Sequence, residues 1–133
     1  MTTAVIIADR GSDMARITEA VRPLPHTDIV RHANGRSPVA SLVKAHAPSL
    51  VVVGEMSPRQ LTMDRVSEVR AAAPAATVVV VAGDAGSRWL ADALRAGASA
   101  VLPGGLGAEA LAAVLHEVIA SNPGNATELA HAA

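Results

Sequence analysis

The sequence contains no cysteine, phenylalanine or tyrosine, and its 133 residues include a single tryptophan and a single lysine. Without cysteine the chain forms no disulfide and no cysteine-ligated zinc or iron–sulfur site. With Trp89 as the only aromatic side chain, it lacks the stacking platforms that bind single-stranded nucleic acid. We therefore expect neither a disulfide-stapled fold nor direct contact with nucleic acid.

Charge and hydropathy exclude further classes. The formal net charge is -1 and the arginines are scattered, so no strong field draws the chain to nucleic acid or to anionic lipid. The apolar runs are too short to cross a bilayer, and the first residues lack the basic and apolar regions of a signal peptide. Half of the residues are hydrophobic, enough for the core of one domain. We expect a soluble cytoplasmic protein without membrane insertion.

Short apolar runs rich in β-branched residues predict the strands. Continuous rather than alternating runs indicate burial on both faces, as in a parallel sheet covered by helices. Three runs are clear and two are weaker. The clear ones are Ala4–Ala8, Leu50–Val53 and Thr77–Ala82, and the weaker ones are Asp28–Arg31 and Ala100–Leu102.

Helical spacing of apolar residues fills the intervals between these runs. Ser12, Ser37 and Ser87 are the predicted N-caps of the first, second and fourth helices, with Pro38 opening the second. Gly97 is predicted to end the fourth helix. The predicted helices are Asp13–Val21, Val39–His46, Pro58–Ala73, Ser87–Ala96 and Ala108–Ile119.

This alternation of strands and helices predicts one α/β domain over residues 1–121. Right-handed crossovers then give a doubly wound five-stranded parallel sheet in a three-layer αβα arrangement. From Asn122 to Ala133 the periodicity is lost, which predicts a disordered tail or linker stub. Ligands of such folds bind beyond the carboxyl ends of the strands, so the residues there are the candidates for function.

The spacing of elements and three segments resemble the response-regulator receiver family, the CheY-like domains. Asp92–Ser99 (DALRAGAS) resembles the segment before the family's fifth strand, Ile6–Asp9 (IIAD) its first strand and acidic turn, and Ala47–Val53 (APSLVVV) the approach to its phosphorylated aspartate. The resemblance covers about residues 4–120. It implies the flavodoxin-like strand order 2-1-3-4-5 and a role in two-component signal transduction.

The residues that carry phosphoryl chemistry in this family are nevertheless replaced. By the resemblance, Asp9 stands at the first magnesium-binding acid and Arg10 at the second. The remaining positions are Gly54 for the acceptor aspartate, Ala82 before Gly83 for the hydroxyl residue, Gly104 for the lysine and Val101 for the switch aromatic. We therefore expect an atypical receiver, or pseudo-receiver, with no metal, no cofactor and no enzymatic activity.

Several residues at this edge keep alternative interpretations. Glu55 follows Gly54, where strand alternation turns it away from the crevice, so it is either an exposed acid or a mimic of the acylated aspartate. Arg10 has three interpretations: its guanidinium takes the place of the metal ion, it binds an anion, or it is a solvated surface residue. Asp9 either forms an ion pair with Arg10 or caps a helix. The glycine-rich turn 103–107 is a phosphate cradle or a flexible connection.

The expected mode of action is contact with a protein partner, unknown from the sequence, or with a second copy. By the resemblance, the surface is the one formed by helix four, strand five and helix five. Trp89 is either an interface anchor or an ordinary half-buried residue. The candidate interface residues are Arg88, Trp89, Asp92, Arg95, Val101, Leu111 and His116. The alternatives are a small-molecule or anion sensor and an ordinary phosphorelay receiver that uses Glu55 or another acid.

Overall fold

The computed structural model describes residues 3–9, 12–25, 27–83 and 87–121, excluding the side chains of residues 12, 13, 87 and 88. The predicted tail therefore lies outside the described residues. The strands are β1 Thr3–Ala8, β2 Ile29–Asn34, β3 Leu50–Gly54, β4 Thr77–Ala82 and β5 Ala100–Pro103. The helices are α1 Ser12–Val21, α2 Ala40–His46, α3 Arg59–Ala72, α4 Ser87–Ala96 and α5 Ala108–Ser121.

The five strands form one parallel sheet in the order β2-β1-β3-β4-β5. One face of the sheet packs against α2, α3 and α4, and the other against α1 and α5. The predicted fold class, strand order and three-layer arrangement are confirmed. No described helix has both the length and the apolar character needed to cross a membrane.

Uninterrupted β-branched sequence places β1, β3 and β4 at the centre of the sheet. All of their residues are buried, because side chains on both faces meet a helical layer. Val5 and Ile7 of β1 face α2, α3 and α4, whereas Ala4 and Ile6 face α1 and α5. The edge strands β2 and β5 are only partly buried.

The predicted boundaries hold to within two residues except at β2. That strand runs three residues beyond its predicted end, to Asn34. The apolar pattern ends at Arg31, but the chain continues to pair with β1 as far as Ala8 opposite Asn34. The pairing partner, rather than apolar sequence, fixes the end of an exposed edge strand.

The predicted cap of α2 was wrong. The helix begins at Ala40, and neither Ser37 nor the N-cap residue Val39 provides a side-chain cap. Glu68 of α3 takes that role, since its Oε1 accepts hydrogen bonds from the backbone N–H groups of Val39 and Ala40. Its Oε2 accepts from Arg65 at 2.9 Å. A tertiary contact therefore caps α2, and no local sequence signal announces it.

We expect Glu68→Ala to lower the free energy of unfolding by about 2 kcal/mol, since it removes the cap and leaves Arg65 without its carboxylate. Glu68→Gln keeps an acceptor oxygen and should lose less. Glu19→Ala, which truncates an exposed glutamate of α1, is the control and should change stability little. Urea unfolding measures all three. Equal losses for Glu68→Ala and Glu19→Ala would contradict the assigned cap.

Candidate functional site at the carboxyl edge of the sheet

Gly54 ends β3 beneath α1. A Cβ built on Gly54 would lie 3.0 Å from the Cβ of Ala8 and 3.6 Å from Cδ1 of Ile17. The first distance is tighter than ordinary van der Waals contact, so a side chain here would displace its neighbours. The position that the resemblance assigns to the acceptor therefore carries no carboxyl group and has little room for one.

Gly104 closes the crevice between β4 and β5 through its backbone. A Cβ there would lie 2.9 Å from both the N and the Cα of Gly83. The Gly104 N–H also donates to the carbonyl of Ala82 at 2.6 Å. The position that the resemblance assigns to the lysine is thus occupied by a glycine that touches the opposite loop. Of the two interpretations of the glycine-rich turn, neither anticipated this close backbone contact.

Glu55 is exposed, as one of its two interpretations predicted, but its side chain reaches across the strand ends, contrary to the prediction that it turns away from the crevice. The peptide N–H of Glu55 donates to the carbonyl of Val81 at 3.0 Å, so β3 and β4 remain paired up to this residue. Its side-chain Oε2 then accepts from the N–H of Gly83 at 2.8 Å. Strand alternation does not govern Glu55, because the strand ends one residue earlier, at Gly54.

The contact between Glu55 and Gly83 follows from ladder geometry. In a parallel ladder, alternate residues direct their N–H and C=O groups to the same neighbouring strand, and the N–H of Thr77 points toward β3, bonding Ser49 at 2.9 Å. Gly83 has the same parity as Thr77, so its N–H also points toward β3. Because the chain turns away after Glu55, the carboxylate takes the place of a backbone acceptor.

A small cavity remains between these residues. Its volume is about 80 Å³, and its lining residues are Arg16, Ile17, Gly54, Glu55, Val81, Gly83 and Gly104. Ligand pockets usually measure roughly 300–1,000 Å³, so a nucleotide-sized ligand does not fit. Arg16, one turn into α1, was missed by sequence reasoning. Arg16 follows β1 closely in the sequence, and this spacing was the signal that could have placed it at the carboxyl edge of the sheet.

Asp9 is turned toward the connection between β2 and α2. Its Oδ2 forms an ion pair with Arg36 at 3.0 Å, and it does not line the cavity. Its Oδ1 is buried and makes no hydrogen bond with the described part of the chain. The predicted partner Arg10 lies outside the described residues. Arg36, 27 residues along the chain, therefore holds the carboxylate.

Ala82 is fully buried and packs with the α2, α3 and α4 layer. It therefore presents no group to the cavity, although Gly83 and Gly104 beside it do. Across residues 3–9, 12–25, 27–83 and 87–121, no three histidine or acidic side chains lie close enough to hold a metal ion.

Two residues predicted for the partner surface are core residues. Leu111 has no exposed surface and packs on the α1 and α5 side of the sheet, so it cannot contact a partner. Trp89 is only 8% exposed and belongs to the opposite core, with the Arg59 guanidinium 5.9 Å from its ring centroid. Trp89 is therefore a packing residue rather than an anchor offered to a partner.

Other residues on this surface stay accessible. His116 and Arg95 are exposed, Asp92 and Val101 are partly buried, and the side chain of Arg88 is outside the description. Asp92 forms ion pairs with Arg59 of α3 at 3.3 Å and with Arg95 at 3.5 Å. The side of α4 that bears Asp92 therefore faces α3.

Leu90 and Leu94 were missed by sequence reasoning and are the large exposed hydrophobic residues of the described chain, at 42% and 46%. They lie four residues apart, so they share one stripe of α4. Helical geometry puts that stripe well over 100° from Asp92, on the side away from α3 and toward β5. The signal available in the sequence was that α4 carries its two leucines on one side and the small residue Ala93 on another. It is the side with Ala93 that is buried.

Comparison with known proteins places this geometry in a fold family. No family model and no curated protein matches the sequence. A response regulator from Thermotoga maritima superimposes with a TM-score of 0.73 at 16% identity, over 91% of this chain and 100% of that chain. The chain has the response-regulator receiver fold.

Two further solved structures agree. The receiver domain of the response regulator NarL from Mycobacterium tuberculosis gives a TM-score of 0.69 at 18% identity, covering 88% of this chain and 96% of that one. A pilus assembly-related protein from Burkholderia pseudomallei gives 0.72 at 21% identity, covering 89% of each chain. Such low identities establish the fold and leave the function to the site itself.

The contact between Gly104 and Gly83 predicts that a side chain at position 104 lowers the stability of the fold. We expect Gly104→Ala to lower the free energy of unfolding by about 2 kcal/mol, because its methyl group would overlap the opposite backbone. Gly105→Ala is the matched control, since a Cβ at Gly105 meets nothing within 4 Å. Thermal unfolding of both variants measures the difference. Equal stability of the two variants would show that the loops are not in contact.

Proposed function

We propose that this chain is a receiver-like signalling module of the two-component type that acts without phosphorylation, by binding another protein. The contact of Gly104 with the backbone of Gly83 is the observation that carries the proposal. It leaves no space for a lysine side chain to hold a phosphoryl group. The receiver fold of the neighbouring structures supports a signalling role.

The chemistry at β3 also supports phosphorylation independence. A phosphoryl acceptor needs a carboxylate that is free to attack and cations that stabilise the charge it gains. Gly54 has no carboxylate, and Oε2 of Glu55 is engaged by the N–H of Gly83. Asp9 is paired with Arg36 and lies away from the cavity. Within the described residues, an acceptor, metal ligands and a lysine are therefore not brought together.

In this proposal the hydrogen bond of Glu55 to Gly83 is permanent, whereas a link made through a phosphorylated residue would be reversible. The Glu55 carboxylate links the end of β3 to the start of the segment that leads into α4. In this proposal the link ties Gly83 to the end of β3, in the role that an acylated aspartate would have. The exposed stripe of α4 is then presented to the partner constitutively.

Incubation with acetyl phosphate and Mg²⁺, followed by intact-mass measurement, tests phosphorylation independence. We expect no added phosphoryl group, while a receiver that retains its acceptor aspartate gains one in the same reaction. A phosphorylated product would overturn the proposal. Repeating the reaction with Glu55→Gln would then identify the acceptor, because loss of the product in that variant assigns it to Glu55.

We propose that the partner docks on α4 over Leu90 and Leu94. Exposed aliphatic side chains at helical spacing suit a partner with an apolar strip. Arg95, whose side chain is 79% exposed, lies about 100° around α4 from Leu94, and it favours acidic residues at the partner's rim. This combination commits the surface to a protein partner of complementary shape and charge.

Leu94→Asp places a charge in the centre of that surface, and we expect it to weaken partner binding at least about tenfold. Ala71→Glu, at an exposed position of α3, is the control and should bind normally. A partner captured from native lysate is purified and titrated with each variant. Equal affinities would remove α4 from the interface.

A second copy is the other possible occupant of this surface. The exposed acids Glu109 and Glu117 of α5 would then lie opposite Arg95 in a twofold dimer. Sedimentation of the Leu94→Asp variant separates the two cases. Conversion of a dimer to a monomer by this change would replace the proposed hetero-partner with a homodimer.

A further inference from the structure

A groove opens at the amino edge of the sheet, at the opposite end from the small cavity beside Glu55. It lies between α5, the start of β5 and the segment that joins α3 to β4. Its volume is about 610 Å³, within the roughly 300–1,000 Å³ of ligand pockets. We call it the amino-edge groove. Apart from alanines and a proline, its lining residues are Arg70, Ser99, Val114, Glu117, Val118 and Ser121.

Arg70 brings to this groove a guanidinium that forms no ion pair with the described part of the chain. Its Nε donates to the carbonyl of Gly97 at 2.9 Å, and its Nη1 donates to those of Pro74 and Ala76 at 2.7 and 2.8 Å. Its Nη2 donates to Oγ of Ser99 at 3.2 Å. These bonds fix the guanidinium in place without neutralising it, so it is already positioned for a carboxylate.

α5 forms the apolar side of the groove. Val114 and Val118 are four residues apart, so they lie on one side of the helix, and both are only partly buried where they pack on the core. Ser121, three residues further along, ends the helix and also lines the groove. The groove therefore extends along α5 to the residue at which the described chain ends.

The segment that follows Ser121 has the composition that this groove requires. Residues 122–133 lie outside the described residues. Their sequence contains one acid, Glu128, no lysine or arginine, and one large aliphatic residue, Leu129. The acid and the aliphatic residue are therefore neighbours in the sequence, as the guanidinium and the apolar surface are neighbours in the groove.

The segment is also long enough to return to the groove. Pro123 and Gly124 directly follow the helix and are residues that favour turns. The eight residues from Ser121 to Leu129 span up to about 26 Å when extended. Val114 lies only about 10 Å back along α5 from Ser121. A turn at the start of the segment therefore still leaves Leu129 within reach of the whole groove.

We propose that residues 126–133 dock in the amino-edge groove of their own chain, with Glu128 on Arg70 and Leu129 on the two valines of α5. α3 and α5 pack on opposite faces of the sheet, so the guanidinium and the valines border the groove from opposite sides. Successive side chains of an extended segment also point to opposite sides. Neighbouring residues of the segment can therefore make both contacts together.

Charge fixes the direction in which the segment lies. Glu117 is exposed on the α5 side of the groove and forms no ion pair with Arg70. A second carboxylate close to Glu117 would be repelled, so Glu128 is directed to the Arg70 side. The occupant is the chain's own segment rather than a separate protein, because its attachment to α5 holds it beside the groove at a high effective concentration.

A nitroxide label on the segment tests this contact in the full chain. The sequence contains no cysteine, so a label attached at Ala130→Cys reports on the segment alone. We expect loss of the amide resonances of Ala76 and Ala100 at the groove through paramagnetic broadening. The resonances of Gly54 and Gly83, at the carboxyl edge, should persist.

Substitutions in the segment distinguish docking from mere proximity of the label. Leu129→Asp and Glu128→Gln each remove one contact and should restore the resonances at the groove. Neither residue belongs to the described fold, so neither change disturbs its core. Ala126→Asp adds the same charge as Leu129→Asp without removing a contact, and it is the matched control that should keep the resonances broadened.

A mixed sample separates docking within one chain from exchange between two copies. It combines isotope-labelled chains that carry no nitroxide with unlabelled chains that carry one. Docking within one chain leaves all resonances of the isotope-labelled chains intact. Loss of the Ala76 and Ala100 resonances in the mixture would assign the groove to the segment of a second copy and overturn the proposal.

The proposal also fails if Ala130→Cys leaves the groove resonances at full intensity, or if Leu129→Asp or Glu128→Gln leaves the broadening unchanged. None of these results bears on phosphorylation or on the α4 surface. The amino-edge groove shares no residue with the small cavity at the carboxyl edge or with the stripe of Leu90 and Leu94.

Discussion

In a parallel ladder, successive residues direct their backbone groups alternately to the strand on the left and the strand on the right. That constraint fixes what this sheet exposes at its edges and at its carboxyl end. It sends the N–H of Gly83 toward β3, where Glu55 receives it. It also makes Pro103, which has no N–H group, an outward-facing residue on the β5 edge. On the opposite edge, it makes Val30 an outward-facing residue of β2.

The carboxyl end of the sheet has been closed by small residues. Gly54 lies against Ala8, and Gly104 lies against Gly83, so backbone occupies space that functional side chains take in other proteins of this fold class. Oδ2 of Asp9 pairs with Arg36, whereas its Oδ1 makes no hydrogen bond with the described part of the chain.

In the proposed function, recognition takes place on the outer surfaces of the domain rather than at the strand ends. α4 buries Trp89 and Ala93 on one side and exposes Leu90 and Leu94 on another, so it packs into the core and still offers an apolar stripe. The amino-edge groove offers the guanidinium of Arg70 beside apolar residues. The stripe and the groove select different occupants, because the stripe requires only apolar side chains and the groove also requires an acid.

The receiver fold was predictable because its signals are local. Continuous valine and isoleucine runs, helical spacing and Gly97 at the end of α4 define the elements, and Gly97 does adopt a positive φ of 120°. The glycine at position 54, which the resemblance assigns to the acceptor, was also readable, since it depends only on residue identity. Sequence reasoning counted Leu111 and Trp89 among the candidate interface residues, with packing as the alternative for Trp89, because helical periodicity does not say how deeply a helix is buried.

The sequence by itself determined the order of elements, the parallel sheet and the glycines at positions 54 and 104, because each of these is set by residue type and spacing along the chain. Only the tertiary structure decided that Glu68 caps α2, that Glu55 bonds Gly83 and that Arg36 holds Asp9. Those pairs are 27 to 28 residues apart. Their geometry arises only when separate loops are brought to the same edge of the sheet.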